Sequence, residues 1–229
     1  MVADHQSAGQ GRRGRSWTAP AGTSLAVSVA VPSPAPALVG WVPLLTGVAV
    51  VRALTADRYA VSAGLKWPND VLVPEGGAWR KVCGILAQVV PASRDRPGVV
   101  VIGTGLNVDQ ERDDLPVPTA TSWRLARGGA VLPDGAREAW LEDYLDHHAR
   151  LLDELSADPE AVRSAYQEQC LTIGKAVRVH LPDGTEHEGV AEAVDPSGAL
   201  VVTSGSGTRH HHAGDVVHLR HDGAPAPRV

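Results

Sequence analysis

Four short segments carry residue types that could do chemistry. The first is Gly9-Gln10-Gly11-Arg12-Arg13-Gly14-Arg15. Its first six residues match the dinucleotide pattern G-x-G-x-x-G, but that fingerprint needs a hydrophobic strand before it and a helix after it. Here Ala3-Asp4-His5-Gln6-Ser7-Ala8 precedes and Ser16-Trp17-Thr18-Ala19-Pro20 follows, so the dinucleotide reading fails. What remains is local physics. Three glycines let backbone N–H groups turn inward, and three arginines offer planar forks that match phosphate oxygens. A solvated basic loop, or a patch for nucleic-acid backbone, accounts for the same residues.

The second segment, Lys66-Trp67-Pro68-Asn69-Asp70, sets a positive charge at a strand end beside a turn that bears an amide and a carboxylate; most such pentapeptides are ordinary strand exits. In the third, Lys81 stands just before the strand Gly84-Ile85-Leu86. An ammonium at the rim of a sheet there could neutralise an anionic substrate, although a snorkelling surface lysine is commoner. The fourth, Gly103-Thr104-Gly105-Leu106-Asn107, ends another buried strand. Its small residues allow a ligand to come close and Asn107 supplies a donor and an acceptor; a tight turn needs the same residues. The histidines do not suggest a metal site. His210-His211-His212 are consecutive in an expected strand, so they point to alternating faces, and His147-His148 diverge on a helix. Cys83 and Cys170 read as small buried side chains.

The elements that must position these groups follow from periodicity. Ser24–Val31 reads as a strand, and Gly64–Pro68 as a short strand ending in a turn. Gly84–Val90 and Val99–Val108 read as central strands buried on both faces, with an exposed hairpin at Glu75-Gly76-Gly77. The nearly apolar run Leu38–Val51, after a proline-rich connection, suits a core helix ending near Thr55. Fourteen residues fall short of the roughly 20 that a membrane-spanning helix needs. Asp134 is expected to cap a helix whose buried stripe is Trp140, Tyr144, His148, Leu151 and Leu155. Asp158-Pro159 opens a second helix, running to about Leu171. Beyond Thr172 only short strands and turns follow: Lys175–Leu181, Glu188–Val194, Leu200–Thr203 and Val216–Leu219, as in a small barrel.

Composition sets the outer limits. The chain has 229 residues, 43% hydrophobic and 21% charged, which is globular usage and fits one large domain with a small one. Lys and Arg total 21 against 26 Asp and Glu, so the net charge of −5 gives no bulk attraction to nucleic acid or anionic lipid. Two cysteines make neither a disulfide framework nor a cysteine-built zinc site, and with no secretory signal they point to the cytoplasm.

Taken together and in order, the segments Gly9–Arg15 with Ser16-Trp17, Lys66–Asp70, Lys81 with Gly84-Ile85-Leu86, and Gly103–Asn107 resemble the biotin protein ligases. The likeness runs nearly end to end, because Leu171–Arg220 resembles that family's C-terminal barrel, closing on Gly214-Asp215-Val216-Val217-His218-Leu219-Arg220. It implies an α/β (α+β) fold: a class II synthetase-like catalytic domain over 1–171, with a mixed sheet flanked by helices, an SH3-like barrel over 172–221, and a tail over 222–229. It also implies a two-step reaction. Biotin's carboxylate attacks the α-phosphate of ATP, with Mg²⁺ present, to give biotinyl-5′-AMP and pyrophosphate. A lysine of a biotin carboxyl carrier domain then takes the biotinyl group.

By the same resemblance Lys81, Arg12 and Asp70 are the catalytic residues. Lys81 reaches both the carboxylate and the phosphate, and Asp70 orients or deprotonates the incoming amine. Gln6, Gly9, Gln10, Gly11, Arg13, Gly14, Arg15, Trp17, Lys66, Asn69, Gly84, Asn107 and Arg220 are expected around biotin and the adenylate. Protein side chains alone hold no metal in this scheme. The expected partner is the carrier domain of an acyl-CoA carboxylase, with no nucleic acid and no membrane, and with a homodimer left open. Three departures from the family pattern stand out: Gln10 in place of a common arginine, Val82-Cys83 in place of Leu-Ala, and no Ser-Thr-Asn segment upstream of the loop. The last suggests a chain lacking its N-terminal part; with no helix-turn-helix ahead of the loop, a repressor role is not expected. Three rival expectations are an impaired relative that only binds nucleotide or carrier, a ligase for lipoate or another acyl-carrier acid, and a nucleic-acid binder using Arg12, Arg13 and Arg15, against which the net charge of −5 counts.

Overall fold

The computed structural model describes residues 1–59 and 61–219. In chain order the first elements are β1 (Val2–Ala3), β2 (Gly9–Gln10), β3 (Ser16–Trp17), β4 (Ser24–Pro32), α1 (Trp41–Leu54), β5 (Gly64–Lys66), β6 (Asp70–Glu75), β7 (Ala78–Val90) and β8 (Val99–Asn107). Then come α2 (Trp123–Ala126), α3 (Ala136–Ala157), α4 (Pro159–Gln169), β9 (Ala176–His180), β10 (Glu186–Val194), β11 (Leu200–Ser204), β12 (Gly207–His211) and β13 (Asp215–His218). Six strands form one sheet in the order β1-β4-β8-β7-β6-β5, and five form a second in the order β12-β11-β10-β9-β13. All ladders of the first sheet are antiparallel; its parallel contacts are isolated bridges, Leu65 with Cys170 and Lys81 with Ala120.

Helices cover one face of the six-stranded sheet. α1 is buried almost all round because it lies between sheet and α3, and Gly47 packs against Leu65 and Ile85 of the strands. The stripe of α3 that faces α1 is Ala136, Trp140, Tyr144, His148, Leu151 and Leu155, the apolar spacing legible in the sequence. Its histidine, His148, is satisfied by the Thr46 hydroxyl of α1 at 3.1 Å, and Thr46 itself donates to the Val42 carbonyl.

Three expectations need correction. β8 is not buried on both faces: Val100, Ile102, Thr104 and Leu106 are buried, whereas Val101, Gly103 and Gly105 line a cavity on the opposite face. Small residues there gave an unbroken apolar run without a second layer above them. Asp134 does not cap α3; Gly135, at φ 74°, occupies that position with no side-chain bond. A fifth barrel strand, Gly207–His211, begins where a turn was expected. In it, His210 is exposed and meets Asp195, while His211 is buried against His187, so neighbouring histidines do face apart.

One turn of the second sheet, residues 196–198, docks on the first domain's tryptophans. Trp41 and Trp67 each donate an indole N–H to it, at the Pro196 carbonyl (3.0 Å) and the Gly198 carbonyl (3.1 Å). Gly40 lies so close that a Cβ would strike the Ser197 carbonyl oxygen. Gly40→Ala must therefore shift backbone against backbone, and a loss of about 1–3 kcal/mol is expected in urea unfolding. A second expectation concerns acid. Burial pulls the His148 pKa down to about 4 from an ordinary 6.5, so the unfolded chain binds the proton first. Stability is then complete above pH 6.5 and lost as pH falls toward 4, by about 3 kcal/mol at ~1.4 kcal/mol per unit. His148→Gln should flatten that part of a stability–pH profile.

Candidate active site

The uncovered face of the six-stranded sheet floors a cavity of about 910 Å³. Register fixes what lies on that floor. Ala26 pairs with Gly105, Gly105 with Gly84, Gly84 with Asp70, and Asp70 with Lys66, so these five form one row across five strands. A parallel row holds Ser28, Gly103 and Leu86. The floor is thus almost bare of side chains at β4 and β8 and charged at β6 and β5.

A bulge places Lys81. From Asp70–Gly84 and Val71–Cys83 the ladder jumps to Leu72–Lys81 and skips Val82. Strict alternation would send Lys81 to the helix side with Cys83 and Ile85; the extra residue turns it to the cavity instead. Lys81 is therefore inside β7, not just before the strand. Its backbone is clamped by segment 119–121, donating to Thr119 O and accepting from Thr121 N, each at 2.8 Å. Its ammonium lies 2.6 Å from Asp70 Oδ1 and 5.7 Å from the centroid of the Trp17 ring. The Trp17 ring covers Gly105 and the edge of Gly84: a Cβ on Gly105 would lie 3.0 Å from that ring, and one on Gly84 would lie 3.2 Å from Lys81 Nζ. These two glycines admit the loop's tryptophan and the lysine.

The segment Gly9–Trp17 is a small hairpin, β2 against β3, with a 3-10 turn at Arg12–Gly14. Arg12 donates to Asn69 Oδ1 (3.0 Å) and to Gly214 O (3.1 Å), and its guanidinium lies 3.8 Å from Asp215. Arg15 grips both oxygens of the Asp215 carboxylate, at 3.0 and 3.1 Å. The basic turn is therefore tied to the barrel by residues 200 positions away. Asn69 also donates to Ile85 O at 2.9 Å, which fixes it as a bracket between Arg12 and β7.

Lys66 is the most buried cation here, with 7% of its surface exposed. Leu65 packs into α1, so Lys66 points to the cavity. Burial pulls its ammonium below the ordinary lysine value; Lys81 and Arg15 add to this, and Asp70 and Asp215 oppose it.

The biotin/lipoate A/B protein ligase family matches residues 1–107, and the biotin protein ligase C-terminal domain matches residues 172–219. The chain is 40% identical, over 96% of its length and 79% of the relative's, to the biotin–[acetyl-CoA-carboxylase] ligase of Mycobacterium tuberculosis. The chain belongs to the biotin protein ligase family. It is also 31% identical to the Paracoccus denitrificans biotin–[acetyl-CoA-carboxylase] ligase, over 94% of this chain and 88% of that one. The Aquifex aeolicus biotin protein ligase in complex with biotin and ATP shares the fold, with a TM-score of 0.74 at 24% identity, over 94% of this chain and 86% of that one.

Most of the family-type residues expected from sequence meet in the one cavity: Gln6, Gln10, Gly11, Arg12, Arg15, Trp17, Lys66, Asn69, Asp70, Lys81, Gly84 and Asn107 all line it. Two do so indirectly or not at all. Gly9 sits under the Trp17 carbonyl, and Gly14, at φ 72°, is exposed at the tip of the turn. Asn107 is 5% exposed and ties the strand end down, donating to Thr121 O and accepting from Gln110. The side chain of Arg13, and all of Arg220 with the tail 222–229, lie outside the described residues. Sequence reasoning missed Asp215, the anchor of both arginines. It also missed Pro116 and Val117, which wall the cavity, and Ser28 and Gln88, which put polar groups over its floor. The signal for Asp215 was present: an acid in the closing barrel segment of a chain whose loop carries three arginines.

This anchoring predicts protease sensitivity. Arg15 is half exposed, so its bond to Asp215 contributes only about 0.5–1 kcal/mol to holding the turn. Asp215→Asn should let trypsin cut after Arg12–Arg15 roughly two- to fivefold faster, read by limited proteolysis and mass spectrometry.

Proposed function

We propose that the protein activates biotin with ATP to biotinyl-5′-AMP and pyrophosphate, and then transfers the biotinyl group to a lysine of a biotin carboxyl carrier domain. One observation carries the reading: Arg12, Arg15, Lys66 and Lys81 converge at one end of a cavity whose other end is neutral and floored by Ala26, Gly103 and Gly105. A ligand that is anionic at one end and uncharged at the other, as an acyl adenylate with its biotinyl ring is, matches that polarity.

In the first step a biotin carboxylate oxygen attacks the α-phosphorus as the bond to the pyrophosphate oxygen breaks. Lys81, held over Gly84, faces the carboxylate and the phosphate together and stabilises the charge that builds on the phosphoryl oxygens. Arg12 and Arg15 stand on the same side, and the hairpin that carries them closes over the intermediate and excludes water. In this reading Asp70, paired with Lys81 at 2.6 Å, orients the carrier amine and accepts its proton as the amine nitrogen bonds to the acyl carbon and AMP departs. Mg²⁺ would enter bound to the ATP phosphates, with Asp70 or Asp215 as carboxylate contacts, the usual division between substrate and protein for this ion. The apolar wall of Pro116 and Val117 is suited to the adenine ring.

The partner in this reading is the carrier domain of an acyl-CoA carboxylase, and the work is done in the cytoplasm, which the unpaired buried thiols Cys83 and Cys170 suit. No helix among the described residues is long and apolar enough to cross a membrane. The test is biotin-dependent exchange of labelled pyrophosphate into ATP, with lipoate in place of biotin giving none. Lys81→Ala should cost about 2.7–4 kcal/mol of transition-state stabilisation, a rate loss of roughly 10²–10³. A rate within about threefold of wild type removes Lys81 from the mechanism.

A further inference from the structure

Lys66 is the cation for which the scheme so far has no task. Asp70, its register partner, is already committed to Lys81 at 2.6 Å. Asp215 is gripped by Arg15 and lies beside Arg12. Among the described residues no carboxylate oxygen lies within 4 Å of the Lys66 ammonium, although 93% of the residue's surface is buried and only 7% exposed. A charge taken out of water without a partner is costly, and such a group is kept where a ligand of opposite sign arrives.

The row across the floor says where that ligand is. It runs Ala26, Gly105, Gly84, Asp70, Lys66, with Lys81 Nζ against Gly84. If the α-phosphate lies at Lys81 and the acyl chain extends over the bare floor at Gly105 and Ala26, the attacking oxygen comes from the β8 side. In-line displacement then drives the leaving group the opposite way, over Asp70 toward β5. Two strand spacings, roughly 10 Å, separate β7 from β5, a gap that two phosphates and a lysine side chain span. At that end Lys66 is joined by Arg15, and the local balance is four cations against Asp70 and Asp215.

We propose that Lys66 binds the β- and γ-phosphates of ATP and carries the charge of the departing pyrophosphate. As the α-phosphorus to bridging-oxygen bond breaks, its electron pair stays on pyrophosphate and the Lys66 ammonium faces the oxygens on which that charge collects; no proton need move. Lys66 thus serves adenylate formation and its reversal, and has no part in the second step, when pyrophosphate has gone. This assignment rests on the ligase reading above.

The experiment separates the two half-reactions in the full chain. In Lys66→Met, adenylate formation from biotin and ATP should fall by about 100-fold or more, and at least roughly 30-fold further than transfer from supplied biotinyl-5′-AMP to a carrier domain. Calorimetry with inorganic pyrophosphate should show binding weakened by about tenfold or more, while AMP, which lacks the β- and γ-phosphates, binds within about threefold of wild type. Equal losses in the two half-reactions, or equal weakening of AMP and pyrophosphate, overturn the assignment. So does an unchanged Lys66→Met. A wild-type chain with no biotin-dependent pyrophosphate exchange overturns the ligase reading instead. A measurement on the unaltered protein stands beside the variant: inorganic pyrophosphate, but not AMP, should protect Lys66 from reductive methylation by formaldehyde and a borane, mapped by mass spectrometry. Lack of protection also overturns the proposal.

Discussion

A sheet strand offers its side chains alternately to two faces, and here one face is helix-covered core while the other is the floor of a cavity. Lys81, Cys83 and Ile85 would share the core face in an unbroken β7, and an ammonium under α1 would lie in apolar packing. The extra residue, Val82, absorbs that conflict: it is fully buried, and Lys81 is carried over to the cavity side, opposite Leu72. The clamp on Lys81 by Thr119 and Thr121 restores the backbone bonds that the bulge removes from the ladder and brings in the segment that walls the cavity. One inserted residue thus sets the reach of the central cation, the entry of segment 116–121 and the vacant stretch of floor beside Gly84.

Gathering cations in a cleft is costly without anions, and the protein supplies anions of its own. Asp70 neutralises Lys81, and Asp215 neutralises Arg15 and approaches Arg12. The cleft keeps a positive excess because Lys66 has no such partner. For the proposed reaction this is a preorganised field: donors would be held by the fold before phosphate arrives, so less reorganisation would be needed at the chemical step. Trp17 contributes from above, its ring lying over glycines of the floor and near the Lys81 ammonium, which limits how water reaches that group.

Much of this was legible in the sequence, for definite reasons. The stripe on α3, the Asp158 cap of α4 and the apolar α1 are local patterns, read from periodicity alone. The motifs Gly9–Arg15, Lys66–Asp70, Lys81–Leu86 and Gly103–Asn107 were legible as chemistry only together, through their order and family resemblance, since each alone has an ordinary structural use. Their facing was not. Nothing in Arg80-Lys81-Val82-Cys83 announces a bulge, so Lys81 was expected at a strand's rim. The small residues of β8 read as an interior strand, since a run of Val, Gly and Thr looks the same whether a helix or a cavity covers it. Asp134 and Gly135 both suit a cap, and the chain chose the glycine. Asp215 escaped because its partners lie some 200 residues earlier, and only the docked barrel joins them.

That docking gives the barrel a share in the site. Trp41 and Trp67 fix the 196–198 turn to the catalytic sheet, and β13 then delivers Gly214 and Asp215 to the loop arginines. Trp67 also begins the turn that carries Asn69 and Asp70, and its backbone N–H is held by Thr172 at the start of the barrel. The same residue therefore positions a charged turn of the floor and anchors the domain that holds the roof. A carboxylate presents two oxygens to guanidinium much as a phosphate does, so in the proposed reaction Asp215 would keep the arginines spread and oriented for the anion they receive. The loop's order is a property of both sheets together, and the cleft between them takes its shape from that contact.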